Sequence, residues 1–477
     1  MSVDERERAA RRSPEEGADD PWWSVLRPLV LRVHFYGGIL IAPFLLVVAC
    51  TGLLYVFSPQ LEEAFYAHAL HVPAPPADHQ PAAHQPLSSQ VAAAQAARPG
   101  DELSSVRPAT TPTDTTQVLF EAPDQPDSSY VRTVFVDPRT SGVRDVLVTY
   151  GGSQALPLRT WIDQLHRNLN LGDPGRIYSE LAASWLWVMV LGGLVLWFGR
   201  SGFGRSGFSR SGFGRSRKVR DAVAPRMRPK GKPRLLSWHG SVGLWAAAGL
   251  LFLSATGLTW STYAGGSVSE LRSALSWEDP SVSTTLPAHA AGGDVGVDRV
   301  LEAAHAKGVA GRVEITPPSK PGKAYSVEQL QKHWPTQQDS VAVDPSTGQV
   351  TDVLRFADYP VMAKLARWGI DAHMGVLFGL PNQLLLAALA LGLIGVIFWG
   401  YRMWWVRGPA GAFGALPERG AWRRVPPKVL APLILAAAFL GYFLPLFGAS
   451  LVLFAAVDLW FGRRGRRVVG ARETGDL

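Results

Sequence analysis

The sequence predicts a mostly α integral membrane protein. It reads as a tandem duplication of a transmembrane (TM) helix, an extracytoplasmic α+β module and a second TM helix, with a C-terminal membrane hairpin. Three observations predict this. First, Leu29–Phe57, Ile177–Phe198, Leu235–Tyr263 and Leu377–Val406 are long apolar stretches, and about 20 apolar residues suffice to cross a bilayer. Second, a long polar segment separates the members of each pair. Third, the halves repeat. His34 and His239 are each followed by Thr-Gly seventeen residues later, at Thr51-Gly52 and Thr256-Gly257, and by Gly38 and Gly243 four residues later. Trp161, His166 and Gly172 recur with the same spacing as Trp368, His373 and Gly379. Asp137-Pro138 and Asp344-Pro345 lie twenty-nine residues before those histidines. Self-similarity of this kind marks an internal repeat.

In chain order, residues 1–28 are polar and read as a cytoplasmic N-terminal segment. TM1 covers 29–57, the first extracytoplasmic module 58–165, TM2 166–198 and a basic cytoplasmic loop 199–234. TM3 covers 235–263, the second module 264–372, TM4 373–406 and a second cytoplasmic loop 407–428. The stretch 429–461 is too long for one ordinary span and is interrupted by Leu444-Pro445-Leu446-Phe447-Gly448, so it reads as a TM5/TM6 hairpin before a cytoplasmic tail, 462–477.

Orientation follows from Lys and Arg. Residues 199–234 carry twelve basic residues and one acidic residue, Asp221. Loop 407–428 and the Arg463-Arg464-Gly465-Arg466-Arg467 tail are also basic, whereas 58–165 and 264–372 have more acidic than basic residues. The basic segments are expected in the cytoplasm and both modules outside it, with both termini cytoplasmic in the cell inner membrane. Attraction to the lipid bilayer accounts for the net charge of +8 without any nucleic-acid partner. The first span lacks a small-residue cleavage pattern and reads as an uncleaved anchor. The single cysteine, Cys50, lies mid-span. It excludes an intrachain disulfide and a Cys-x-x-Cys-His haem attachment, and reads as a packing residue.

Each module shows the same order. A helix at Ser88–Ala97 precedes strands at Gln117–Glu121, Tyr130–Val136 and Val143–Tyr150, with a turn at 137–142. A helix at Val297–Ala306 precedes strands near Arg312–Thr316, Ala324–Gln329, Ser340–Val343 and Val350–Leu354, with a turn at 344–348 whose glycine comes one residue earlier. Neither module contains a convincing nucleophile–base pair. His68–Pro86, with four histidines, and the Arg-Ser-Gly-Phe repeat at Arg200–Arg215 read as a linker and a lipid-contacting loop.

Topology decides how the repeated histidines pair. His34 and His239 begin outward-going helices near the cytoplasmic face, and His166 and His373 precede inward-going helices near the exterior face. His34 and His166 are separated by most of a core about 30 Å thick and cannot share one metal ion. His34 with His239, and His166 with His373, can do so if the halves face each other about a pseudo-twofold axis. Paired imidazoles from related halves suit a bis-histidine haem iron. Two imidazoles without carboxylate or thiolate partners make an incomplete zinc site. Gly37, Gly38, Gly240 and Gly243 beside the first pair suit either a flat macrocycle or close helix packing.

The segments Leu31-Arg32-Val33-His34-Phe35-Tyr36-Gly37-Gly38, Leu165-His166-Arg167-Asn168-Leu169, Trp238-His239-Gly240-Ser241-Val242-Gly243-Leu244-Trp245 and Ala372-His373-Met374-Gly375 resemble the PepSY-associated transmembrane proteins. That iron-regulated inner-membrane group includes ferric-siderophore reductases. The turns Asp137–Thr140 and Asp344–Thr347 look like the ends of PepSY modules. The resemblance spans about residues 28–406 and continues weakly to Leu459; the Arg-Ser-Gly-Phe loop departs from it. It implies two b-type haems and electron transfer to ferric chelates outside the membrane. Taken with the histidines, the expected function is a di-haem reductase, with iron bound through His34, His239, His166 and His373. The acceptor is a ferric siderophore or other ferric chelate. The chain has no Gly-x-Gly-x-x-Gly motif at a strand–helix turn, so the donor is expected to be a quinol or a separate flavoprotein. Arg159, Trp161, Arg367 and Trp368 are candidates for the acceptor site. Two rivals are a membrane-tethered PepSY protein that binds and inhibits an extracytoplasmic peptidase, and a transporter. The apolar character of the four main spans counts against transport.

Overall fold

The computed structural model describes residues 21–74, 83–201, 220, 222–228, 230–286, 293–407, 417 and 420–473. Most of the N-terminal segment, the Arg-Ser-Gly-Phe repeat and the end of the tail lie outside the described residues. Contacts divide the chain into two units, one of Met1–Cys50, Arg176–Val268 and Leu389–Leu477, the other of Thr51–Gly175 and Ser269–Ala388.

The first unit is helical. Helices α1 (Pro21–Leu40) and α2 (Ala42–Val56) are followed later in the chain by α6 (Asp173–Ser201), α7 (Lys232–Leu258), α11 (Leu380–Trp405), α12 (Pro427–Phe443) and α13 (Pro445–Glu473). Three of these, at Asp173–Gly199, Lys232–Leu258 and Leu380–Trp405, are long and apolar enough to cross a membrane. The pair α1–α2 makes a fourth if counted as one bent span. Its bend is 58°, where the sequence reads as one continuous span, and Pro43 explains it. Proline has no N–H to give to the carbonyl four residues back, which is that of Ile39. The hydroxyl of Tyr401 donates to that carbonyl instead, at 2.9 Å. The unit's core gathers Ile41, Leu45, Ala182, Trp185, Leu250, Leu393, Ile397 and Phe447. Buried Arg32 on α1 pairs with Asp458 on α13 and donates to the Pro417 carbonyl at 2.8 Å. In the interrupted C-terminal stretch, Leu444 separates α12 from α13. The backbones of Gly441 and Gly448 touch there, with a Cβ built on Gly448 falling 2.8 Å from the Gly441 Cα.

The second unit contains one eight-stranded antiparallel sheet in the order β4-β3-β2-β1-β5-β6-β7-β8. Its first four strands are β1 (Leu103–Arg107), β2 (Thr116–Glu121), β3 (Tyr130–Val136) and β4 (Val143–Tyr150). The second four are β5 (Val313–Thr316), β6 (Tyr325–Gln329), β7 (Ser340–Val343) and β8 (Val350–Leu354). Each set is a meander, and they join through β1 and β5 at Val106 opposite Ile315. Helices α4 (Leu87–Ala97) and α9 (Gly296–Ala306) share one core with the sheet, built on Val91, Val106, Val118, Phe120, Val300, Ile315 and Val327. A fully buried side chain of this size contributes about 2 kcal/mol. Asp298 of α9 accepts from the Leu87 N–H at 2.6 Å, at the start of α4. The two Asp-Pro turns make matching contacts: Gln85 N–H donates to Pro138 O and Val295 N–H to Pro345 O, each at 2.7 Å.

The remaining helices of this unit are α3 (Ser58–Leu70), α5 (Pro157–Asn168) and α10 (Val361–His373), while α2, α6, α8 (Tyr263–Ala274) and α11 each cross the division between the units. His68, read from sequence as linker, lies in α3. His166 and His373 also differ from the expected bounds: they lie in α5 and α10, before the spans that open at Asp173 and Leu380. Gly172 and Gly379, with φ of 64° and 58°, turn the chain between amphipathic helix and span. That left-handed backbone favours glycine, which explains why both positions share a residue type.

Candidate functional site: two histidine pairs

His34 on α1 and His239 on α7 come together within the first unit. Their ring centroids are 6.2 Å apart and the rings are nearly perpendicular, at 86°. A metal–imidazole bond is about 2 Å and the bonded nitrogen lies about 1.1 Å from its ring centre, so imidazoles on opposite sides of one ion have centroids roughly 6 Å apart. The spacing fits one iron between the rings.

The hydrogen bonds fit as well. Nδ1 of His239 lies 2.9 Å from the Val396 carbonyl. A carbonyl only accepts, so Nδ1 carries the proton and Nε2 keeps its lone pair. This is the tautomer a metal-ligating histidine takes when a backbone oxygen holds its other nitrogen. The corresponding carbonyl beside His34 is that of Met189, although His34 Nδ1 lacks a partner of hydrogen-bond geometry. Met189 and Val396 occupy equivalent positions, twenty-three residues after His166 and His373.

Both rings lie against glycines on a neighbouring helix. A Cβ on Gly193 would come 3.1 Å from His34 Cε1, and one on Gly400 would come 3.6 Å from His239 Cε1. These glycines are also equivalent, twenty-seven residues after His166 and His373. That equal offset was a readable signal beyond the motifs singled out above. Gly37 and Gly240, expected to admit either a macrocycle or helix packing, seat side chains. Ideal Cβ atoms there would fall 2.6 Å from Met189 Sδ and 2.2 Å from the Trp197 ring.

The second pair belongs to the other unit. His166 on α5 lies within electrostatic reach of His373 at the end of α10. Thr51 Oγ1 and His166 Nδ1 are 3.0 Å apart. The Tyr55 ring stacks near His166, with centroids 6.4 Å apart. Thus each unit brings together one histidine from each sequence half, while His34 and His166 fall in different units. Among the described residues there is no cluster of three or more His, Cys, Asp or Glu suited to a metal ion. His68 instead faces Arg144 and His71 bonds Glu63.

A family model described as PepSY-associated TM region matches residues 31–407. The chain belongs to the PepSY-associated transmembrane family. Comparison with curated proteins finds no match. All four histidines of this PepSY-associated protein lie within the matched residues.

Three of the four candidate acceptor residues have side chains engaged with the protein. Arg159 pairs with Glu62 at 3.2 Å, Arg367 with Asp279 at 3.0 Å, and Trp368 Nε1 donates to Thr336 at 3.2 Å. Trp161 is exposed. Sequence reading missed Asp371, two residues before His373. It is 1% exposed and neither carboxylate oxygen has a hydrogen-bond partner. Burial raises it to about 6, against the opposing effects of Lys332 and Arg367. Lys332 comes from the β6–β7 loop, and burial lowers its ammonium from the ordinary range.

Proposed function

We propose that this multi-pass membrane protein is a di-haem reductase of the inner membrane. In this reading it passes electrons from a cytoplasmic or quinol donor to ferric chelates, such as siderophores, at the periplasmic face. The observation that carries the proposal is the His34–His239 pair, with perpendicular rings 6.2 Å apart and a carbonyl at Nδ1 of His239. Bound haem would supply a one-electron carrier at each histidine pair. The protein's own part is to hold the ligands. His34 and His239 would hold one haem and His166 and His373 the other. Val396 O fixes a tautomer, and Gly193 and Gly400 leave room for the rings. The mirrored strand order about β1 and β5 supports reading the chain as a duplication, as cross-half pairing requires.

The substrate chemistry is consistent with release of iron. Hydroxamate and catecholate oxygens are hard ligands that prefer ferric to ferrous ion, so one-electron reduction weakens the complex. The basic loop and tail support a cytoplasmic placement of both termini. No residue-level observation favours the alternative of a tethered peptidase inhibitor. Detergent-purified protein should carry two haems per chain that acid acetone extracts, since no cysteine tethers them. Its spectrum should change to that of reduced b-type haem on adding dithionite. A haem-to-protein ratio near zero after expression with ample haem contradicts the proposal.

A further inference from the structure

The Thr-Gly dipeptide that follows His34 by seventeen residues is one of the clearest repeated signals in the sequence, and the proposed reaction assigns it no role. Its place in the structure gives it one. Thr51 Oγ1 lies 3.0 Å from His166 Nδ1, and a Cβ on the next residue, Gly52, would come 3.0 Å from His166 Cε1. One residue therefore holds the ring by hydrogen bond, and the next leaves space for the ring to lie against α2. Tyr55, one turn further along the same helix, completes the seat with a stacked ring at 24° to the imidazole. The seat is made by α2 and its occupant by α5.

We infer that Thr51 and Gly52 are positioning residues for His166, and that the Thr51 hydroxyl sets the ligand strength of that histidine toward haem iron. The inference rests on the reading of His166 as a haem ligand. With Nε2 on a metal ion, Nδ1 carries the proton and donates it to Thr51 Oγ1. The partner at Nδ1 controls how much anionic character the imidazole acquires, and hydrogen bonding to a ligating histidine is one of the means by which a protein tunes a haem. In the other pair, His239 donates to a backbone carbonyl. A hydroxyl is the weaker acceptor, so His166 keeps less anionic character than His239. The less anionic ligand stabilises ferric iron less and favours the higher reduction potential.

The test is redox titration of the purified haem-loaded protein, following both haem signals in the parent, Thr51→Val, Thr51→Ser and His166→Ala. The signal absent from His166→Ala identifies the haem that His166 binds. Thr51→Val keeps the side-chain shape but removes the acceptor. It should raise the midpoint of that haem alone, while Thr51→Ser should match the parent. If Thr51→Val instead loses that haem, retention in Thr51→Ser supports the positioning role, and loss from both overturns it. Unchanged potentials in Thr51→Val, or a shift in the other haem, also overturn the inference. These outcomes leave the di-haem reading standing. A parent protein that binds no haem removes that reading itself, so the two failures are distinct.

Discussion

Asp371 is a buried acid whose two oxygens both lack hydrogen-bond partners, so its charged form is disfavoured in the fold. Its carboxyl moves from the ordinary 3.8 to about 6. A raised acid binds more protons folded than unfolded. Its stabilising contribution is therefore fully present below about pH 4 and is lost as pH rises to about 6, a change of order 3 kcal/mol. Lys332, Arg367 and His333 face the carboxylate and oppose the shift, and Asp371→Asn leaves them in place. Thermal unfolding in detergent at pH 4.5 and pH 7.5 checks this. The melting temperature of Asp371→Asn relative to the parent should be higher at pH 7.5 than at pH 4.5, and an equal difference at both would contradict the assignment. The four repeated histidines were legible because each kept residue type and spacing. Asp371 was not, because the residue at the same offset before His166 is Gln164 and only burial distinguishes it. Gly193 and Gly400 were legible in principle by equal offset, but they sit among other small residues in apolar helices.

At the scale of elements, the two Asp-Pro turns differ by one residue in the position of glycine, and the backbone explains how both return to register. Ser141 and Gly348 occupy the same fourth position after the aspartate, with φ of 57° and 69°. Their N–H groups bond back to Asp137 O and Asp344 O, at 2.8 and 2.9 Å. A register irregularity follows in each ladder, between Phe135 and Val136 and between Ala342 and Val343. Left-handed backbone is unfavourable for serine and tolerated by glycine. Ser141→Gly should therefore stabilise the protein by up to about 1 kcal/mol, and Gly348→Ser should destabilise it by at least about 1 kcal/mol. The second change also brings a Cβ within 3.0 Å of Arg299 Cγ. Paired thermal melts read the two signs, and a stabilising Gly348→Ser would contradict the account. Strands β2 to β8 were readable from apolar patterning and turn residues. Strand β1 was not, since Leu103-Ser104-Ser105-Val106-Arg107 lacks an apolar alternation. Its polar members are satisfied across the sheet, with Ser105 bonding Glu314 at 2.6 Å and Arg107 pairing with the same carboxylate at 2.6 Å. Helix α3 was hidden for a similar reason. Only its end, from His68, overlaps the stretch read as linker, and its Glu62 is nearly buried against Arg159.

For the whole molecule, the sequence reading placed strands in both extracytoplasmic segments but did not foresee that they form a single sheet. That fusion depends on β1 meeting β5, a long-range pairing that local patterning does not encode. Both histidine pairs obey the same rule, one ligand from each half, and neither half alone contains a complete pair. The division of the chain follows the same logic, since each unit takes segments from both halves. In the proposed function each haem is therefore shared between the halves. The most direct measurement is the low-temperature reduced absorption spectrum of His34→Ala, His239→Ala, His166→Ala and His373→Ala, each purified with haem quantified per chain. The account predicts two classes of spectrum. His34→Ala and His239→Ala should lose the same haem component, while His166→Ala and His373→Ala should lose the other. If His34→Ala and His166→Ala lose the same component, or if His34→Ala and His239→Ala retain different ones, the pairing across halves is wrong.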